Sequence, residues 1–124
     1  MPDQGAGGLL SSWLRRHRLD AARPYLRGAV LDVGCGIGTL ADDCPAERYV
    51  GVDIDKESLD LARRRHPAHR FSPAADPALR VDTIALLAAI EHVADPAGFL
   101  RGLAKHLGPG GRIVLTTPAP WTDR

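Results

Sequence analysis

Three glycines, Gly34, Gly36 and Gly38, stand at alternate positions directly after the apolar run Ala29, Val30, Leu31, Asp32 and Val33. With no Cβ atoms in the way, such a loop turns sharply and lets a ligand approach its backbone. It also leaves N–H groups at the start of a helix, which suits an anionic group. Asp53 lies nineteen positions beyond Gly34, at the end of the next apolar run, Tyr49–Val52. An acid at that point is placed to accept hydrogen bonds from two ribose hydroxyls, as in nucleotide-binding folds. Glu91 and His92 follow the most hydrophobic stretch of the chain. Either could take a proton from an acceptor hydroxyl, an imidazole having its pKa near working pH.

The elements that must position these residues follow from periodicity and punctuation. Residues 1–8 read as a flexible leader and 9–27 as an amphipathic N-terminal helix with Leu9, Leu10, Trp13 and Leu14 at helical spacing. Its Arg15, Arg16, His17 and Arg18 form a wet face, and Pro24 interrupts it. After the strand ending at Val33 and the glycine loop, Thr39–Cys44 has room for only a turn or two of helix before Pro45. Tyr49–Val52 is the second strand. Asp55 then caps a helix whose inward side carries Leu59, Leu61 and Ala62, closed by His66 and Pro67. Phe71 marks a short strand and Ser72–Leu79 a loop. Val81–Ala89 is expected as the central strand. Asp95 and Pro96 start a helix with Phe99, Leu100, Leu103 and Leu107 on one face, ended by Gly108 and Pro109, and Arg112–Thr117 is the last strand. Strands that are apolar throughout, alternating with helices, call for a parallel sheet covered on both faces, so an open doubly wound α/β domain is expected. Ligands of such sheets bind beyond the carboxyl ends of the strands, where Asp32, the glycines, Asp53 and Glu91 fall.

Composition narrows the partners. The 124 residues are 44% hydrophobic and 25% charged, ordinary for one globular domain. Sixteen Lys and Arg against fifteen Asp and Glu leave a formal charge of +1, too little to drive general nucleic-acid or acidic-membrane binding. The longest apolar stretch, Thr83–Ile90, is far short of the roughly 20 residues of a membrane span, and no signal peptide is recognisable. A cytoplasmic protein with no nucleic-acid and no membrane partner is expected. Cys35 and Cys44 have neither CxxC spacing nor a nearby His at metal spacing, so they read as reduced packing thiols and no metal site is expected.

A dinucleotide fingerprint starting at Gly34 fails because the sixth position is Thr39; Gly36, Gly38 and Ala41 satisfy a second register that starts late. A nicotinamide-dependent oxidoreductase is thus a weak rival. Val30-Leu31-Asp32-Val33-Gly34-Cys35-Gly36-Ile37-Gly38, by contrast, resembles the first motif of class I S-adenosylmethionine-dependent methyltransferases. Tyr49-Val50-Gly51-Val52-Asp53-Ile54-Asp55 is similar to their second motif. Ile90-Glu91-His92-Val93-Ala94-Asp95-Pro96 is similar to the stretch after their fourth strand, and Leu107–Leu115 to their turn into the fifth. The closest look is to the branch that includes ubiquinone and menaquinone biosynthesis enzymes. The resemblance implies a sheet in the order 3-2-1-4-5 and S-adenosylmethionine as cofactor, leaving as S-adenosylhomocysteine. It implies that Asp32 and the backbone of Gly34, Gly36 and Gly38 hold the methionine part, that Asp53 holds the ribose, that Cys35 and Ile54 also belong to the cofactor-binding set, and that Asp76 is the acid available to meet the adenine amino group. The implied reaction is in-line methyl transfer to a small-molecule acceptor.

Each assignment has a plainer counterpart. Glu91 and His92 remain candidates only, since ordering the loop that enters the Asp95 helix is the favoured role for both. Asp32 and Asp53 could cap a helix or a turn, but their positions at strand ends beside a glycine loop favour binding. Cys35 has no nearby base and reads as packing, and Asp76 could be a solvated loop acid. The resembling enzymes continue through two further strands that shape much of the acceptor pocket, whereas this chain ends seven residues after Thr117. A non-catalytic cofactor-binding or interaction module is therefore the alternative. The last strand is expected to present an apolar edge, which predicts self-association.

Overall fold

The computed structural model describes residues 16–87 and 93–116. Five parallel strands form one sheet in the order β3-β2-β1-β4-β5: β1 Val30–Val33, β2 Tyr49–Val52, β3 Arg70–Ser72, β4 Val81–Leu86 and β5 Leu107–Leu115. The order and the parallel pairing are those expected. The middle position belongs to β1 rather than to β4, the most hydrophobic run, which lies between β1 and β5. Residues 88–89, expected at the end of β4, lie outside the described residues.

Alternate β1 side chains face opposite ways, and both faces are apolar. Val30 joins Leu19, Tyr49, Leu59, Ala62, Phe71 and Ala85 in one core cluster, while Leu31 joins Val52, Val81 and Ile84 in another. Strands buried on both sides over most of their length have little wet face to record a period of two, which is why β1 and β4 read as largely apolar runs, interrupted by Asp32 in β1 and by Asp82 and Thr83 in β4. Helix α1, described over residues 16–22, and α2, Lys56–Arg65, cover the first face through Leu19, Leu59 and Ala62. Helix α3, Pro96–Ala104, reaches the second through Leu103. The Leu9–Leu14 part of the expected N-terminal helix lies outside the described residues; beyond residue 22 the chain tightens to a 3-10 turn, Arg23–Tyr25, with Pro24 inside it.

Three local expectations are corrected. Leu61 does not point inward: it is 44% exposed, whereas Leu59 is 2% exposed. Leu59 and Ala62, three residues apart, define the seam, and Leu61 falls on the far side of the 3.6-residue turn. Helix α3 stops at Ala104, and Leu107, expected on its apolar face, opens β5 instead of the later Arg112. Val81 pairs with Leu107 and Thr83 with Arg112, so Gly108–Gly111 form an irregularity inside the strand, with Gly110 at φ +75°. Glycine and proline that read as a helix stop serve here as the bulge. The third concerns Asp55. It caps α2 as placed, but its carboxylate accepts the Ser58 hydroxyl at 2.7 Å rather than a backbone N–H. Asp95 caps α3 conventionally, accepting from Gly98 N at 3.1 Å.

The amino ends of β1 and β4 are pinned by polar groups. Thr83, fully buried, donates to the Arg27 carbonyl at 2.7 Å and accepts from Arg27 N at 3.2 Å, and Asp82 accepts from Ala29 N at 2.8 Å. The corrected face of α2 makes a direct prediction. Leu59→Ala should cost roughly 2–5 kcal/mol in urea unfolding, and Leu61→Ala no more than about 0.5 kcal/mol; the reverse ranking would mean the helix seats its other face.

Candidate functional site

The carboxyl end of β1 runs straight into the glycine loop, and all three glycines have positive φ: +74° at Gly34, +57° at Gly36 and +86° at Gly38. Each contributes differently. A Cβ at Gly36 would meet nothing within 4 Å, so this side of the loop is open to a ligand. A Cβ at Gly38 would lie 3.2–3.3 Å from Phe71, Ala62 and His66, so Gly38 allows the chain to pack closely on α2 and β3.

Four of the loop amides already have partners within the chain. Gly34 N and Cys35 N both donate to the Val52 carbonyl, at 2.8 and 3.0 Å, Gly38 N donates to the Cys35 carbonyl at 3.0 Å, and Gly36 N donates to Asp53 Oδ2 at 2.8 Å. The helix that would have presented them is a single 3-10 turn, Leu40–Asp43. What the loop offers outward is open space at Gly36 and the carboxylate behind it.

Asp53, one residue past β2, accepts Gly36 N on Oδ2 and Asp55 N on Oδ1, both at 2.8 Å. One carboxylate thus joins the glycine loop to the start of α2, and each oxygen keeps a lone pair for a further donor. Ile54 beside it is 95% exposed. Asp32 is brought near on β1 but lies inward, 4% exposed, accepting the Tyr49 hydroxyl at 2.6 Å. Burial pushes its carboxyl up to about 7, the Tyr49 hydrogen bond pulls it down, and the Asp53 charge adds to the rise. Burial together with the Asp32 carboxylate raises the Tyr49 phenol in turn. Gly51 permits this pair: a Cβ there would lie 2.6 Å from the Tyr49 hydroxyl oxygen, so only glycine leaves a path for the tyrosine along the sheet. Tyr49 was not among the expected site residues; Gly51, two positions on in a strand, was its only sequence signal.

Cys35 is buried, and burial with the Asp32 and Asp53 carboxylates drives its thiol up to about 12, so it packs and does not attack. Burial also raises the Cys44 thiol. Asp76 is exposed in the loop after β3, where its Oδ1 accepts Ala78 N at 2.9 Å. It borders a cavity of about 600 Å³ along the β3 edge that Arg63, His66, His69 and Ser72 also line. Glu91 and His92 lie outside the described residues.

Set against known proteins, residues 9–124 match a methyltransferase domain family, and the chain belongs to that family. It is 34% identical over 101 residues to a ubiquinone biosynthesis O-methyltransferase of Proteus mirabilis, covering 71% of this chain and 41% of that protein. It is likewise 34% identical over 116 residues to a probable S-adenosylmethionine-dependent methyltransferase of Mycobacterium tuberculosis, covering 86% of this chain and 42% of the relative. Among solved structures, an S-adenosylmethionine-dependent methyltransferase from Mesorhizobium loti superposes with a TM-score of 0.68 at 28% identity, over 82% of this chain and 53% of that one. One from Thiobacillus denitrificans, solved with S-adenosyl-L-homocysteine, gives 0.60 at 26% identity, over 80% and 47%. The chain spans about half the length of the relatives it matches.

The buried Asp32 predicts a stability profile. Its carboxyl holds a proton up to about pH 7 in the folded chain but only to about 3.8 when unfolded, so stability falls as pH rises through that window and levels above it. Asp32→Asn stays neutral and still accepts from Tyr49. Its stability relative to wild type, measured by urea unfolding, should be higher at pH 8 than at pH 4; a difference independent of pH would contradict the assignment.

Proposed function

We propose that this chain supplies the cofactor-binding part of an enzyme that moves a methyl group from S-adenosylmethionine to a small organic molecule. The observation that carries the reading is Asp53: a carboxylate held rigidly by two backbone amides, beside the open side of Gly36 and next to an exposed Ile54. The residues present fit the cofactor. The remaining lone pairs of Asp53 could accept two ribose hydroxyls, and the exposed Ile54 would offer apolar surface to the nucleoside, a contact favoured by removing that surface from water.

Bound S-adenosylmethionine supplies an electrophilic methyl carbon on a sulfonium and leaves as S-adenosylhomocysteine. The chain's own groups orient and bind, and orientation alone accounts for a large part of the rate in such displacements. Asp32, buried at the end of β1 where the loop begins, would be held in its charged form by a cationic amino group brought near it. Asp76, whose Oδ1 accepts Ala78 N, would offer Oδ2 to the adenine amino group. Glu91 and His92, next in sequence after the β4 region, are proposed to take the proton of an acceptor hydroxyl.

The acceptor is proposed as a small molecule because the relatives' names include ubiquinone biosynthesis O-methyltransferase and trans-aconitate 2-methyltransferase. Among the described residues no helix is long and apolar enough to cross a membrane, and a cytoplasmic location is proposed. β5 is one edge of the described sheet, and pairing of that edge with a second copy is the proposed mode of self-association.

Isothermal titration of S-adenosylmethionine and S-adenosylhomocysteine should show binding to the wild type. Asp53→Ala should weaken it at least about 30-fold, the scale of hydrogen bonds to a charged group. A folded wild type that gives no heat with either ligand would overturn the reading.

A further inference from the structure

The 3-10 turn after the glycine loop creates an unmet need. In an α-helix starting here, the Ile37 carbonyl would accept the amide of residue 41, but Ala41 N donates to the Gly38 carbonyl at 3.1 Å. The Ile37 carbonyl instead accepts Arg65 Nη1 at 2.9 Å, across 28 positions of sequence. The other arm of the same guanidinium, Nη2, lies 3.4 Å from both oxygens of Asp42, which stands inside the 3-10 turn. His66 Nε2 lies 2.8 Å from Asp42 Oδ1, off the hydrogen-bonding direction.

Arg65 therefore grips the loop at both ends of its descent: the carbonyl between Gly36 and Gly38, and the acid of the turn that follows. A planar guanidinium suits this task because its donors point in fixed, divergent directions. The base of the loop is held by Gly34 N and Cys35 N on the Val52 carbonyl and by the buried Cys35, and the restraints thin out toward the tip. Its three glycines carry no side chains and Ile37 is 38% exposed, so its tip is held by Asp53 from the β2 side and by Arg65 from the α2 side.

We infer that Arg65 is a positioning residue for the cofactor loop, acting through the Ile37 carbonyl and Asp42 to keep the open side of Gly36 in its binding geometry. The inference rests on the reading of this loop as the S-adenosylmethionine site. It goes beyond that reading in giving an α2 residue, acting through the Ile37 carbonyl and Asp42, control over affinity.

The test compares wild type, Arg65→Met, Arg65→Lys and the neighbouring exposed Arg64→Met. S-adenosylhomocysteine affinity is read by isothermal titration, the Ile37 carbonyl carbon by NMR in the ligand-free protein, and global stability by urea unfolding. Arg65→Met should weaken binding about five- to twenty-fold, within the range of a partly exposed charge-assisted contact, and should move the Ile37 carbonyl resonance upfield. Arg65→Lys, which restores one donor, should recover part of both effects, and Arg64→Met should leave both unchanged. Arg65→Met binding within twofold of wild type, or a loss of stability with neither affinity nor the Ile37 resonance altered, would overturn the inference while leaving the cofactor site standing. A wild type that does not bind would overturn the site reading itself. The Ile37 resonance would then still decide whether Arg65 holds the loop.

Discussion

The fold places its site through one carboxylate. Asp53 leaves the end of β2, and its two oxygens are taken by Gly36 N on one side and Asp55 N on the other, both at 2.8 Å. Its own amide is held by the Ser72 carbonyl at 3.2 Å. The glycine loop, the start of α2 and the end of β3 therefore converge on one residue. Charge-assisted bonds to backbone amides are shorter and stronger than neutral ones, and two of them fix both the rotamer of the acid and the path of the loop. A ligand that displaced neither amide would meet an acid already oriented, which lowers the entropy lost on binding.

Around that tie, the sheet and α2 compensate for a loop with little secondary structure of its own. Gly34 N and Cys35 N turn back to the Val52 carbonyl, Gly38 packs against Ala62 and Phe71, and Arg65 meets the carbonyl the 3-10 turn leaves over. Beneath the loop, Tyr49 and Asp32 share a short hydrogen bond in the core, made accessible by Gly51. A buried acid whose proton leaves only near pH 7 costs the folded chain stability above the ordinary carboxylate range.

Much of this was legible in the residues. The glycine spacing, the apolar runs around Val30 and Ile84, and the caps at Asp55 and Asp95 were local signals, and they led to the parallel sheet and to Asp53 at a strand end. Less legible were features set by three-dimensional register. Tyr49 reaches Asp32 only because β2 pairs with β1 so that Asp32 faces Gly51, which no spacing reveals. The glycines of Gly108–Gly111 carry the same chemistry in a helix stop as in a bulge, so β5 begins five residues earlier than the Arg112 that the sequence pointed to. The amides of Gly34, Cys35 and Gly36 looked available because their partners, the Val52 carbonyl at the end of β2 and the Asp53 carboxylate just past it, are distant in sequence.

The most direct test of the account is amide hydrogen exchange at Gly36 and Asp55 in the ligand-free protein, in wild type and in Asp53→Ala. The account predicts that both amides are protected in the wild type and that both lose protection together when the carboxylate is removed, while the β1 amides remain slow. Rapid exchange at Gly36 in the wild type, or protection that survives in Asp53→Ala, would show that the loop is held by something other than Asp53 and would contradict the account.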